Sequence, residues 1–238
     1  MRLDKFLGIT GCCSRSDAKK AIRAGNVLCN GIAARSPDIH IDPDNDEICF
    51  CGKIVTYRKY TYIMLNKPEG YVSATEDGRD KTVLDLLPND MKKDKLFPCG
   101  RLDKNTLGLM LITDNGDLAH KLLAPKSHVT KKYRFSSKFL VNASDAERFE
   151  AGVTLEDGYV TLPAKIELDA DGMGGIITLT EGKYHQIKRM LEALNNKITY
   201  LERISFGHLT LDGTLARGEW RYLTESEIAE LEAHGNQK

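Results

Sequence analysis

The spacing of hydrophobic positions along this 238-residue chain changes near residue 55 and divides it into a short and a long segment. In the first segment Leu3, Phe6 and Leu7 recur at helical spacing and predict a short opening helix. Ala18, Ala21 and Ile22 predict a second helix, capped by Ser14 or Ser16 and ended by Gly25. Val27-Leu28-Cys29 and Ile32-Ala33-Ala34 flank Asn30-Gly31, the signal of a type I′ hairpin. Ile39, Ile41, Ile48 and Phe50 predict further short strands around the acidic turn Asp42 to Glu47. Residues 1–55 therefore read as a small α/β unit. Gly52, Lys53, Arg58 and Lys59 fall in the connection, residues 52–61, to a second domain expected over 56–238.

In the second segment the apolar runs lengthen. Strands are predicted at 62–66, 107–113, 133–140, 159–168, 175–180 and 199–211. The turn signals Asp157-Gly158 and Gly174-Gly175 predict antiparallel pairing for several of them. Ser144 with Glu147, ahead of Phe149, and Thr224 with Glu227, ahead of the C-terminal helix, form capping-box patterns. No internal repeat is present. The pattern is α+β, built around one large sheet.

One loop in this segment carries chemistry. Leu96-Phe97-Pro98-Cys99 leads into Gly100-Arg101-Leu102-Asp103, and the apolar run Leu107 to Ile112 follows. Asp103 is thus placed on a short loop between two buried strands, where a carboxylate is costly unless a cation or water compensates it. Arg101 is the nearest candidate, and from spacing alone the two read as a loop ion pair.

Charge narrows the partners. Lysine plus arginine and aspartate plus glutamate number 34 each, so the net charge says nothing of an anionic ligand. Its distribution does. Residues 1–36 hold Arg2, Lys5, Arg15, Lys19, Lys20, Arg23 and Arg35 against Asp4 and Asp17, a net of +5 and a local polyanion footprint. Arg15, Lys19 and Arg23 recur every four residues as one basic stripe, which in isolation reads as a solvated helix face.

No apolar run is long enough to span a bilayer, and the charged N-terminus carries no secretory signal, so a cytoplasmic monomer without membrane contact is expected. Five of the six cysteines, Cys12, Cys13, Cys29, Cys49 and Cys51, lie in the first 51 residues, with Cys99 apart. They form no CxxC pair, so they read as reduced thiols, not a zinc site. The six histidines, His40, His120, His128, His185, His208 and His234, show no ligand spacing. Asp42-Pro43-Asp44-Asn45-Asp46 has the look of a calcium loop, but Glu47 replaces the required glycine and Lys53 the closing glutamate. No metal is expected.

Five segments, in order, resemble the pseudouridine synthases. GRLDKNTLGLMLITDNG, from Gly100 to Gly116, is similar to their catalytic-loop signature, and Tyr62-Ile-Met-Leu-Asn-Lys67-Pro68-Glu-Gly70-Tyr to their LNKPxGY strand and turn. Lys132-Tyr133 is similar to the KxY segment, Glu181-Gly-Lys-Tyr-His-Gln-Ile-Lys-Arg-Met190 to the EGRxxQVKRM helix start, and Leu201-Glu-Arg-Ile-Ser-Phe-Gly207 to the LxRxxxG strand. The N-terminal pattern RLDKFL…SRSDAKKAIRAGNVLCNG resembles the S4 RNA-binding domain, which turns the basic stripe into an expected phosphate-contacting face, with Arg2, Arg15, Lys19, Lys20 and Arg23 as its RNA-binding residues.

The resemblance implies an S4-like domain followed by a catalytic domain with a large, mostly antiparallel sheet flanked by helices and an RNA cleft. It implies isomerisation of uridine to pseudouridine without a cofactor, since nothing is oxidised or hydrolysed overall. Asp103 is the implied catalytic carboxylate, and it needs a cation to stay ionised with water excluded. Lys188 is the implied partner, with Arg101 in the same neighbourhood. Tyr133 is implied to stack on the target base and to move a proton at C5, and Ile187 to wall the uracil pocket. The target nucleotide should be flipped into that pocket. Without the resemblance, Tyr133 and Ile187 read as core and Lys188 as a solvated helix start.

Within the branch that modifies ribosomal RNA, Tyr184-His-Gln-Ile-Lys-Arg-Met190 is similar to the small-subunit YHQ(V/I)KRM string, whereas large-subunit relatives more often carry RQ(V/I)RRM. Small-subunit (16S) ribosomal RNA, free or in an assembly intermediate, is therefore the expected partner. The alternatives are large-subunit ribosomal RNA as substrate, a non-catalytic RNA-binding assembly factor, and a hydrolase that releases free uracil.

Overall fold

In the computed structural model, which describes residues 1–236 apart from 44, 56, 58, 90 and 92 (the backbone alone for 234–236), the apolar residues of the first 59 positions close a core of their own. Helices α1 (Leu3–Ile9) and α2 (Arg15–Arg23) pack on a four-stranded antiparallel sheet of β1 (Val27–Cys29), β2 (Ile32–Ala33), β3 (Ile48–Phe50) and β4 (Lys53–Ile54), in the order β2-β1-β3-β4. Ser14 is the cap of α2, accepting from the Asp17 amide at 3.1 Å. Asn30 and Gly31 both take positive φ, 51° and 78°, as a type I′ turn demands. Ile39 and Ile41 lie outside any strand; only His40, between them, makes an isolated bridge, to Arg2. The Tyr57 ring lies 5.7 Å from that of Phe6 and carries this core beyond residue 55. Asp44 of the acidic run and Arg58 of the connection lie outside the described residues.

The second unit, Tyr60–Lys238, is built on a nine-stranded sheet. Its strands are β5 (Tyr62–Lys67), β6 (Phe97–Pro98), β7 (Leu107–Thr113), β8 (Lys131–Ser137), β9 (Lys165–Leu168), β10 (Gly174–Leu179), β11 (Ile198–Phe206), β12 (Leu209–Thr210) and β13 (Trp220–Tyr222). The order is β13-β5-β7-β11-β8-β10-β9, with β6 added to β7 and β12 to β11. Helices α3 (Gly116–Leu123), α4 (Ala143–Ala151), α5 (Gln186–Glu192) and α6 (Glu225–Asn236) cover it. Both faces are buried, which is why the central strands read as unbroken apolar runs. Ile63, Leu65, Met110 and Ile112 face a core shared with Phe149 of α4 and Met190 of α5. Tyr62, Met64, Leu109 and Leu111 face another, shared with Leu118 of α3 and Leu231 of α6.

Among the described residues every pairing between strands of this sheet is antiparallel except β7 with β11, which run parallel with Leu107 opposite Glu202 and Gly108 opposite Arg203. Segments that precede two parallel neighbours enter the sheet at the same end. The loop before β7 holds Asp103 and the helix before β11 is α5. The seam is tight: at Gly108, with φ 94°, a Cβ would stand 2.3 Å from the Arg203 carbonyl oxygen.

Several elements differ from the sequence expectation. The capping box of α4 is Asn142 with Asp145, not Ser144 with Glu147. Thr224 and Glu227 do bond reciprocally at the start of α6. The strand expected at 159–168 is confined to β9, and the one at 133–140 runs over β8. The stretch 199–211 reverses at Gly207 into the β11–β12 hairpin. Gly174 and Gly175 begin β10, the reversal lying at 169–173, where the Gly172 amide donates to the Asp169 carbonyl at 3.0 Å. No helix among the described residues is long and apolar enough to cross a membrane.

Candidate active site

The loop bearing Asp103 is held from both sides by the segment that follows β5. The Leu102 amide donates to Ser73 Oγ at 3.0 Å, and Ser73 Oγ donates back to the Leu102 carbonyl at 2.8 Å. The Gly70 amide donates to the Lys104 carbonyl at 2.9 Å. Beneath lies Lys67, fully buried, whose Nζ donates to the carbonyls of Pro68, Lys104 and Thr106 at 3.1, 3.1 and 2.8 Å. Burial lowers the pKa of this ammonium to about 8, against the pull of Asp103 in the other direction. The Thr106 amide closes the turn onto the Asp103 carbonyl at 3.0 Å, while its buried hydroxyl has no hydrogen-bond partner among the described residues.

Asp103 itself is 27% exposed. Lys188, in the first turn of α5, places Nζ 2.6 Å from its Oδ2, and His185 places Nε2 3.4 Å from its Oδ1. The carboxylate is thus hydrogen-bonded through Oδ2, with the His185 imidazole beside its other oxygen. Arg101 borders the same cleft but makes no ion pair with Asp103 among the described residues, so the loop ion pair expected from spacing gives way to a long-range one. Tyr133, on β8 opposite Arg203, and Ile187, beside Lys188 on α5, are both buried and line the cleft. The cleft opens to solvent, and about 460 Å³ of space lies within it and at its mouth.

The turn that starts α5 is braced from below. Glu181 accepts from the Leu162 amide at 2.8 Å, the Tyr159 hydroxyl at 2.8 Å and Gln186 Nε2 at 2.6 Å. Gln186 Oε1 in turn accepts from the Lys183 amide at 2.9 Å. Arg189 pairs with Asp157 at 2.5 Å. His185 takes a left-handed backbone, φ 49°, as the N-cap. Sequence reasoning set His185 aside with the other histidines and gave Lys67, Thr106 and Glu181 no role. The available signals were a lysine two residues past the apolar run Ile63-Met-Leu65 and a glutamate two residues past Leu179, the end of β10.

In the first unit the basic residues separate into two groups. Arg2 pairs with buried Asp4 at 3.0 Å and also with Asp38; Arg15 reaches Asp4 at 3.6 Å, and Lys20 pairs with Asp17 at 3.3 Å. Lys19 and Arg23 are exposed on α2 and make no ion pair among the described residues.

Residues 61–172 match the RNA pseudouridylate synthase family, and residues 1–48 match the S4 domain. An uncharacterized RNA pseudouridine synthase of Bacillus subtilis (strain 168) is 46% identical over 231 residues, covering 96% of this chain and 97% of its own length. The chain belongs to the RNA pseudouridylate synthase family. The ribosomal small subunit pseudouridine synthases A of Vibrio cholerae and Escherichia coli (strain K12) are 39% and 38% identical, each over 97% of this chain and over 99% and 100% of their own. A pseudouridylate synthase of known crystal structure superposes with a TM-score of 0.68 at 37% identity, covering 97% of this chain and 99% of that one. This pseudouridine synthase is accordingly an isomerase with an N-terminal S4 domain.

Proposed function

We propose that the enzyme isomerises one uridine of small-subunit ribosomal RNA, with Asp103 as its catalytic carboxylate. The reaction breaks the N1–C1′ bond, turns the detached uracil and joins C5 to C1′. A proton leaves C5 and one is taken up at N1, so atoms balance without oxidant, reductant or water. The observation that carries the reading is the Asp103–Lys188 contact at 2.6 Å, bordering a cleft lined by Tyr133 and Ile187. Lys188 supplies the charge that a carboxylate mostly withdrawn from water requires. Tyr133 stacks on the uracil and handles the C5 proton, Ile187 walls the pocket, and Arg101 holds the ribose-phosphate at its border. Lys19 and Arg23, with Arg2, Arg15 and Lys20 beside them, grip phosphates elsewhere on the same RNA. The small-subunit choice is supported by two relatives named for that subunit, each alike to this chain end to end. The enzyme is proposed to act as a cytoplasmic monomer on this RNA, free or in an assembly intermediate.

Two measurements test this. Deleting the gene should remove one pseudouridine from small-subunit ribosomal RNA and none from the large subunit; loss from the large subunit would overturn the substrate. Asp103→Asn should abolish turnover while leaving RNA affinity within a few fold, since most affinity comes from phosphate contacts elsewhere. Substantial turnover by that variant would remove Asp103 from its role, and free uracil released by the wild type would mean hydrolysis instead.

A further inference from the structure

Tyr184 is 73% exposed, more than any other phenylalanine, tyrosine or tryptophan among the described residues. A ring so placed is normally free to turn. Here it is stacked on His185, with centroids 3.9 Å apart and planes 19° from parallel. The turn carrying both is closed at each end: the Lys183 amide donates to Gln186 Oε1 at 2.9 Å, and the Gln186 amide to the Lys183 carbonyl at 3.2 Å. Gln186 is itself tied to Glu181 at 2.6 Å. The fold therefore fixes an aromatic face that it leaves uncovered. Lys183 and His185, the chain neighbours of Tyr184, both line the catalytic cleft. Tyr184 stands next to that lining without being part of it, its ring stacked on the imidazole that lies 3.4 Å from Asp103. Exposed Lys183 precedes it in the chain, and exposed Arg101 borders the same cleft.

We propose that the free face of Tyr184 is a stacking platform for an unpaired nucleobase next to the target uridine, with His185 as the layer beneath it. The inference rests on the reading above that RNA is the substrate. Moving a uridine into the pocket unstacks its neighbours, at a cost of a few kcal/mol for a paired base. A fixed aromatic plane beside the pocket offsets part of that cost, because any base presents a π-face to it. Since the ring is already immobilised by its stack, little side-chain entropy is lost on binding. The ligand class is a single-stranded nucleobase, selected by stacking and not by hydrogen bonding to its edge.

The test uses small-subunit ribosomal RNA transcribed in vitro with tritium at uridine C5, whose release reports turnover. Tyr184→Ala should raise KM roughly ten-fold, within the range of one base–aromatic stack, with kcat nearly unchanged. Tyr184→Phe and Tyr184→Trp should behave as the wild type, because they keep the ring. A second arm needs no turnover: in the Asp103→Asn background, Tyr184→Ala should weaken Kd for the same transcript by the same factor. An unchanged KM and Kd would overturn the platform. So would a loss confined to kcat, which would make Tyr184 a positioning residue for His185, and so would equal losses from Phe and Ala. A wild type inactive on the transcript, with the Kd difference intact, would overturn the substrate reading and leave the platform standing.

Discussion

Lys67 ties the loop that carries Asp103 to β5 through the carbonyls of Lys104 and Thr106. Its burial gives a pH signature. The pKa falls from 10.5 to about 8 on folding. Between those values the unfolded chain still holds a proton that the folded chain has released, so this group makes stability rise with pH through that window and leaves it flat below 8. Measured by urea unfolding at several pH values from 7 to 10, the wild type should therefore gain on Lys67→Met by an amount approaching about 3 kcal/mol. Whatever constant offset the lost hydrogen bonds introduce, a difference independent of pH would show that the Lys67 pKa is not depressed. Asp103 and Lys188 are both legible in the sequence as residues, but spacing alone favours Arg101, two positions away, as the partner, and only the family resemblance reaches across 85 positions to Lys188. Lys67 is visible only as part of a motif, because the carbonyls it bonds are brought to it by the fold.

At the scale of elements, the hydrophobic pattern accounts well for segments whose partners are local or whose faces are both buried. The central strands β5 and β7, the Asn30-Gly31 hairpin and the Thr224 cap all have this character. It failed where backbone groups bond to distant side chains. Residues 159–162 alternate like a strand and pair with 153–155 through the Thr161 amide to the Val153 carbonyl at 3.0 Å and the Leu155 amide to the Tyr159 carbonyl at 2.8 Å. The pairing stops at the single Thr154–Val160 bridge, the Leu162 amide going to Glu181 and the Val153 amide to Thr161 Oγ1. For α4 two overlapping patterns, Asn142 to Asp145 and Ser144 to Glu147, fit the capping rule equally, and extended backbone at Asn142 decides between them. Asn142→Ala should accordingly cost about 1 kcal/mol in thermal or urea unfolding. Ser144→Ala, inside the first turn, should stay within about 0.5 kcal/mol of the wild type. The reverse ranking would return the cap to Ser144.

For the whole molecule, the division into a small basic unit and a larger sheet unit was legible from the change in apolar pattern and from the clustering of charge. What the sequence could not show is that Asp4 is buried and draws Arg2 and Arg15 to itself, leaving Lys19 and Arg23 as the exposed cations of the stripe that make no ion pair among the described residues. Lys19→Gln combined with Arg23→Gln should reduce the log–log salt slope of RNA binding by about 2, one step per lost phosphate contact. An unchanged slope would make the stripe a solvated face. The parallel seam of β7 and β11 has a consequence for the order in which a growing chain acquires its properties. The S4 unit is synthesised first, the carboxylate next, and the cation that completes the site 85 positions later, with the strand that brings it home later still. Non-local pairing of this kind forms slowly, because a long loop must close before the contacts reward it. With Asp103 and Lys188 as the proposed centre, a chain interrupted short of β11 carries the S4 unit complete but not that centre, so the part proposed to bind is finished before the part proposed to modify in every round of synthesis.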